Sequence, residues 1–219
     1  MPESTGDRPL GVFGGTFDPV HLGHLRLAEE ATDALGLAGI RWIPAGQPAL
    51  RDAPQAAAQQ RLAMVRLATA GNPRFTVDAG EVEAARPSYT VQTLERLRRA
   101  DACGPQRPLV LLVGADAFAG LPAWHRWQSL FDLAHIAIAH RPGFPIAVAD
   151  LPATLAACWS ARFGDQPALL AESPSGRIVT FAMTQMAISA TQIRALLASG
   201  ASTRYLLPDA VIAHIDKHH

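Results

Sequence analysis

Two histidines stand three apart at the end of Val12-Phe13-Gly14-Gly15-Thr16-Phe17-Asp18-Pro19-Val20-His21-Leu22-Gly23-His24. At helical spacing, residues three apart share a face, so both imidazoles can act on one target. Gly14 and Gly15 permit a sharp turn and a close approach of backbone to ligand. Asp18 suits a helix N-cap, and Pro19 suits the first helical position, where no N–H is needed. The free amides and positive dipole end of such a helix favour an anion, with phosphate the natural guest. No third histidine or cysteine lies at ligand spacing, so no protein metal site is expected here. An isolated His-x-x-His is more often a loop cap beside a surface imidazole. Strand, tight turn, cap and paired imidazoles in that order are far rarer by chance, and they point to chemistry on a phosphate.

A second cluster is Ile188-Ser189-Ala190-Thr191-Gln192-Ile193-Arg194. Ser189 and Gln192 make the S-x-x-Q pattern of a capping box. Taken alone, that marks only a well-started helix. The same helix end also carries Thr191 and Arg194, and hydroxyls, amides and a guanidinium fork together can grip a polyphosphate. A third group is Pro87-Ser88-Tyr89-Thr90, Gly114-Ala115-Asp116 and Leu121-Pro122-Ala123-Trp124-His125, followed by Arg141. Asp116 could bond a ribose hydroxyl or simply cap a helix. Trp124 could stack on a flat ring or simply fill core, and Arg141 could pair with an anion or simply be solvated.

Composition narrows the classes. The 219 residues are 49% hydrophobic, enough for one full core, and 19 basic residues balance 19 acidic ones. A net charge of zero argues against nucleic acid or an anionic membrane as the main partner. No apolar run reaches membrane-spanning length and the first residues lack a signal-type core, so the cytosol is the expected compartment. Cys103 and Cys158 show no C-x-x-C spacing and read as reduced, buried thiols. Every basic residue is arginine except Lys217. A P-loop needs a lysine after its glycines and lysyl-adduct chemistry needs one inside the fold, so neither is expected.

These residues need a scaffold. Strand-like runs at 9–13, 40–44, 75–78, 109–113, 136–139 and 178–183 alternate with helical patterns at 21–35, 55–70, 90–100, before 131, and at 147–157, 191–198 and 209–217. Such alternation predicts an α/β fold with a Rossmann-like, doubly wound parallel sheet and helices on both faces. A strand order of 3-2-1-4-5 puts the first and fourth strands side by side, with the two glycine-containing strand ends sharing a crevice. One domain over residues 1–219 is expected, with 1–8 flexible and 142–176 a peripheral excursion.

Taken together, Gly14 to His24 resembles the signature of the nucleotidyltransferase superfamily whose His-x-Gly-His element is shared with class I aminoacyl-tRNA synthetases. Ile188 to Arg194 resembles that superfamily's second motif. Pro87 to Thr90, Gly114 to Asp116 and Leu121 to Trp124 resemble the bacterial nicotinate-nucleotide adenylyltransferases, and the likeness runs from Leu10 to about Ile215. The resemblance implies adenylyl transfer from ATP to nicotinate mononucleotide, with Mg²⁺ carried mainly on the nucleotide. It implies catalytic His21, His24 and Arg194, and ATP contacts from Gly14, Gly15, Thr16, Phe17, His21, His24, Gly114, Asp116, Ser189, Thr191 and Arg194. It implies mononucleotide contacts from Thr90, Asp116, Trp124 and Arg141. ATP and the mononucleotide are then the partners, without nucleic acid or membrane, and a homo-oligomer is compatible with the sequence. The family's Pro-x-His-Lys or Pro-x-His-Arg element is replaced here by Gly46-Gln47-Pro48-Ala49-Leu50-Arg51-Asp52, where Arg51 offers a cation but no histidine stands. The alternatives are a sibling transferase using nicotinamide mononucleotide, phosphopantetheine or glycerol phosphate, and a non-catalytic nucleotide-binding protein. A class I synthetase fits less well, since 219 residues leave no room for an RNA-binding domain.

Overall fold

Leu109 to Val113 are five consecutive apolar residues, and all five are buried in the computed structural model, which describes residues 8–49, 53–84, 86–99, 103–144 and 146–218. A strand apolar on both faces belongs inside a parallel sheet covered on both sides. Val110 and Leu112 face one core; Leu109, Leu111 and Val113 face another, as the two-residue period of a strand requires.

In chain order the strands are β1 (Leu10–Gly15), β2 (Gly39–Pro44), β3 (Gln47–Pro48), β4 (Phe75–Val77), β5 (Pro87–Ser88), β6 (Leu109–Gly114), β7 (His135–His140) and β8 (Ile178–Ala182). The helices are α1 (Leu22–Ala34), α2 (Ala58–Thr69), α3 (Gly80–Glu83), α4 (Thr90–Arg99), α5 (Ala115–Ala119), α6 (Leu130–Leu133), α7 (Ala153–Arg162), α8 (Ala190–Ala198) and α9 (Asp209–His218). Six strands form one parallel sheet in the order β4-β2-β1-β6-β7-β8. The expected order 3-2-1-4-5 is thus extended: the sixth strand joins beside the fifth, because Ile178, Val179 and Phe181 of β8 are buried against β7. β3 and β5 pair as a separate two-residue ribbon that sequence periodicity does not show.

The core beside α1, α2, α8 and α9 contains Ala28, Ala31, Met64, Val65, Ile193, Val211 and Ile215. The opposite core takes Val91, Leu94 and Leu97 of α4 with Phe118, Leu130, Phe131 and Leu155. The segment expected as helix at 147–157 instead forms a short 3₁₀ turn at Val148–Asp150 and then α7, whose Pro152 stands just ahead of the first turn. This crossover from β7 to β8 buries Leu155 and Leu170. Residues 1–7 of the expected flexible lead-in lie outside the described residues; Arg8 donates to the carbonyls of Gly36 and Leu37 at 3.1 and 2.9 Å. Cys103 is buried, Cys158 is half-buried, and both are free thiols. Among the described residues, no helix is long and apolar enough to cross a membrane.

The connections leave β1 and β6, which are neighbours, in opposite directions along the sheet. That reversal opens a crevice beyond the carboxyl ends of the two strands, where such sheets place ligands.

Candidate active site

β1 runs on to Gly15, and neither Gly14 nor Gly15 takes the positive φ of the turn that follows. The turn is made by Phe17, which takes φ +50°. Its ring is 3% exposed and packs edge-on to Phe13 and at a tilt to Trp42, with centroids 5.5 and 5.4 Å apart. The Phe17 ring is therefore part of the core, which leaves its backbone as the part of the residue that faces the turn. It also props the His24 ring, 5.1 Å away and nearly perpendicular. Gly15 makes room for it: a Cβ there would stand 2.8 Å from the Phe17 ring. Gly14 is exposed, and nothing lies within 4 Å of where its Cβ would be, so the strand ends on open floor.

Asp18 does not cap α1, because the chain turns for three more residues and His21 takes the N-cap position. The Asp18 carboxylate instead accepts the amides of Gln55 and Ala56, at 2.8 and 3.1 Å, on the approach to α2. The α1 amides are also less free than expected. Leu22 donates to the Leu206 carbonyl at 3.0 Å, and the amides of His24 and Leu25 return to the His21 carbonyl. An anion here would meet the helix dipole and the side chains more than a row of free amides.

The two imidazoles stack with centroids 3.6 Å apart and a 26° tilt. The His21 amide donates to His24 Nδ1 at 3.2 Å. With Nδ1 accepting, the neutral His24 ring carries its proton on Nε2, where it is a donor. His21 is 7% exposed and its Nδ1 has no hydrogen-bond partner among the described residues. Burial pushes its pKa from 6.5 down to about 4, so the ring is neutral at pH 7. The middle glycine of the motif has a packing reason, since a Cβ on Gly23 would stand 3.1 Å from His21 Nδ1.

The second cluster arrives at the same turn. Ser189 is the N-cap of α8, and its hydroxyl accepts the Gln192 amide at 3.1 Å, as the S-x-x-Q spacing predicts. Ser189 and Thr191 are exposed. Arg194 is half-buried and donates to the Asp18 carbonyl at 2.8 Å and to the Thr191 hydroxyl at 3.3 Å. Its guanidinium is therefore held three residues ahead of His21. A second tie joins α1 to the segment before α8: Glu30 accepts both the amide and the hydroxyl of Thr184 at 2.6 Å. Desolvation pushes the Glu30 carboxyl pKa up, but the Thr184 bonds and Arg26 outweigh it and hold the pKa below the usual range.

The third cluster is more dispersed. Gly114 ends β6, and Asp116 sits exposed in the first turn of α5. Thr90 opens α4, while Trp124 follows a 3₁₀ turn and packs against the core near Leu121. The Tyr89 and His125 rings meet at 4.7 Å, which draws the Thr90 and Trp124 segments together. Arg141 is exposed directly after β7. The structure thus gathers His21, His24, Thr16, Ser189, Thr191 and Arg194 around one turn. Asp116 and Arg141 stand on separate strand ends. Arg51 lies outside the described residues, with Leu50 and Asp52. Among the described residues, no group of three or more His, Cys, Asp or Glu could hold a metal ion.

Sequence reasoning passed over Arg61 and left Tyr89 and His125 without a role. Arg61 on α2 is 1% exposed. Its signal is a charge in phase with the buried positions Leu62, Met64 and Val65.

The cytidylyltransferase-like family model matches residues 12–196. A "probable nicotinate-nucleotide adenylyltransferase" of Dechloromonas aromatica (strain RCB) is 64% identical over 210 residues, covering 96% of this chain and 96% of that protein. A protein of the same description from Pseudomonas putida (strain W619) is 47% identical over 218 residues, covering 100% of this chain and 97% of its own length. Among solved structures, a Plasmodium falciparum nicotinic acid mononucleotide adenylyltransferase complexed with NaAD superposes with a TM-score of 0.69 over 96% of each chain. At 12% identity that likeness speaks for the fold alone.

Proposed function

The chain belongs to the cytidylyltransferase-like family, and from that premise we infer that it is a nicotinate-nucleotide adenylyltransferase of NAD biosynthesis. It transfers the adenylyl group of ATP to nicotinate mononucleotide. A 5′-phosphate oxygen of the mononucleotide attacks the α-phosphorus in line. A new P–O bond forms, the bond to the α,β-bridging oxygen breaks, and pyrophosphate leaves with that electron pair. The attacking phosphate is already an anion, so no general base is needed. Catalysis consists of positioning two polyanions and stabilising charge on the transferring group.

The observation that carries this reading is the meeting of the stacked imidazoles with Arg194 at the turn after β1. His24 donates from Nε2 to the transferring phosphoryl group, beside a His21 that is neutral before substrate arrives. Thr16 and the backbone at Gly14 and Gly15 line the α-phosphate. Ser189, Thr191 and Arg194 take the β- and γ-phosphates as the leaving group forms. Gly114 and Asp116 receive the ribose, Thr90 and Trp124 flank the pyridine ring, and Arg141 reaches the mononucleotide. Among the described residues no cluster of His, Cys, Asp or Glu offers protein ligands, so an Mg²⁺ arriving with ATP would be held mainly by the nucleotide and would supply charge neutralisation beside Ser189, Thr191 and Arg194. This chemistry suits a cytosolic enzyme whose partners are ATP and nicotinate mononucleotide.

A pyrophosphate-release assay with ATP tests the reading, offering in turn nicotinate mononucleotide, nicotinamide mononucleotide and phosphopantetheine. Release with nicotinate mononucleotide is expected to be fastest. Faster release with phosphopantetheine, or ATP binding without any release, would replace it with a sibling transferase or a nucleotide-binding protein.

A further inference from the structure

We propose that Arg61 is a positioning residue for this transfer, resting on the adenylyltransferase reading above. Its guanidinium fixes the turn after β1 against the loop after β2, and so sets where His21, His24 and Arg194 stand.

Arg61 donates Nη1–H to the Thr16 carbonyl at 2.6 Å, Nη2–H to the Gly46 carbonyl at 2.8 Å and Nε–H to the Ala56 carbonyl at 3.2 Å. Those three carbonyls belong to two different loops and the approach to α2. Burial pushes the guanidinium pKa down and the nearby Asp18 charge pulls it up; the group stays charged, as arginine does. An apolar side chain would fill the inner face of α2 without the desolvation penalty of a buried charge. It could not join the loops.

The bonds flank the strained point of the turn. Arg61 holds the carbonyl of Thr16, Arg194 holds the carbonyl of Asp18, and Phe17 at φ +50° lies between them. The Asp18 carboxylate then takes the amides of Gln55 and Ala56, the latter in the residue whose carbonyl Arg61 holds. On the far side, the Gly46 amide donates to the Ser88 hydroxyl at 3.0 Å, two residues from Thr90. One guanidinium thus connects the phosphate turn with the ribbon leading to the mononucleotide side.

The molecule supplies its own control. Arg98 is a half-buried arginine likewise bonded to backbone carbonyls, among them those of Arg107, Leu133 and Pro174 at 2.6, 2.8 and 2.6 Å. These lie ahead of β6, β7 and β8, at the end of the sheet away from the site. The carbonyl-clamping chemistry is alike; Arg98 is less buried than Arg61 and lies at the opposite end of the sheet.

The experiment compares wild type, Arg61→Lys, Arg61→Ala and Arg98→Ala by steady-state pyrophosphate release, thermal melting and amide hydrogen exchange. Arg61→Lys keeps the charge and loses the fork. Its kcat is expected to fall about 10-fold or more with both KM values within about 3-fold of wild type, because a small misplacement of reacting groups is enough. Exchange should quicken together in peptides covering 14–24 and 46–56. Arg98→Ala should melt earlier than wild type yet keep its kcat where it is folded. Full kcat in a folded Arg61→Lys would overturn the proposal. So would failure of both Arg61 variants to fold, or activity lost only in proportion to folded protein, since either outcome makes Arg61 plain scaffolding. If wild type releases no pyrophosphate, the adenylyltransferase reading fails while the exchange result still decides whether Arg61 couples the two loops.

Discussion

Around the turn after β1, almost every polar group is engaged before substrate arrives. Asp18 bonds Gln55, Ala56 and Arg194, His24 accepts from the His21 amide, Leu22 donates to Leu206, and Glu30 takes Thr184. Across the crevice, Asp116 and Arg141 are exposed, and their side chains make no hydrogen bond or ion pair among the described residues. Charge develops on the transferring phosphoryl group, so donors there help most when they need no reorganisation at the moment of reaction. Recognition of the mononucleotide can be completed on binding, at a cost in ordering that appears in affinity. The fold is tight on the side proposed for the chemistry and loose at Asp116 and Arg141, which are proposed to read the mononucleotide.

This contrast makes the phosphate side the more sensitive in kcat and the other side the more sensitive in KM. The largest effect is expected from His24→Ala, which should lower kcat by about 10²-fold or more without unfolding the protein, comparable with loss of one transition-state donor. A near-normal rate would remove the phosphate side from the mechanism. Trp124→Ala should raise KM for the mononucleotide by roughly 10-fold, the scale of a lost aromatic contact, and move KM for ATP much less. Equal shifts for both substrates, measured by initial rates with each varied in turn, would dissolve the distinction between the two sides. Gly23→Ala is a finer probe. Its Cβ would press on His21 Nδ1 at 3.1 Å and tilt the stacked pair. A fall of about 5-fold in kcat is expected on the scale of a sub-ångström misplacement, and an unchanged rate would mean the stack is not needed.

The six strands of the main sheet, the helix starts at α4, α8 and α9, and the residues of the His21–His24 and Ser189–Arg194 clusters could be read from the chain because each rests on local pattern. The cross-links could not. Asp18 finds Gln55 at 37 residues' separation and Arg194 finds Asp18 at 176. A one-dimensional reading therefore gave Asp18 the nearest helix to cap, and could not show that the Phe17 ring turns inward onto Phe13 and Trp42. Arg61 was hidden for the opposite reason. An arginine on a helix is ordinarily solvated, and only its phase with Leu62, Met64 and Val65 marks it as inward.

The smallest effect separates two histidines at opposite ends of the sheet. His135 is fully buried with both ring nitrogens engaged: Nδ1 accepts the Arg177 amide at 3.0 Å, which leaves Nε2–H to donate to the Ser173 carbonyl at 2.8 Å. His21 has an unpartnered Nδ1. Desolvation lowers both pKa values, that of His21 to about 4. A lowered pKa means that the unfolded chain binds the proton more readily than the folded one. The stability from each neutral ring is therefore complete above pH 6.5 and lost as pH falls through the window below it, which for His21 extends to about 4. Between pH 7 and 5.5, His21 alone should account for about 1 kcal/mol, or about 3 °C in Tm for a chain of this size. His21→Gln should therefore show a shallower fall in Tm than wild type over that range, with the His135 contribution retained. Binding of ATP should flatten the wild-type fall as well, because a phosphate beside the ring favours its protonated form. If wild type and His21→Gln lose Tm in parallel, His21 titrates as though in water, and the phosphate side is not held neutral and dry in advance of its substrate.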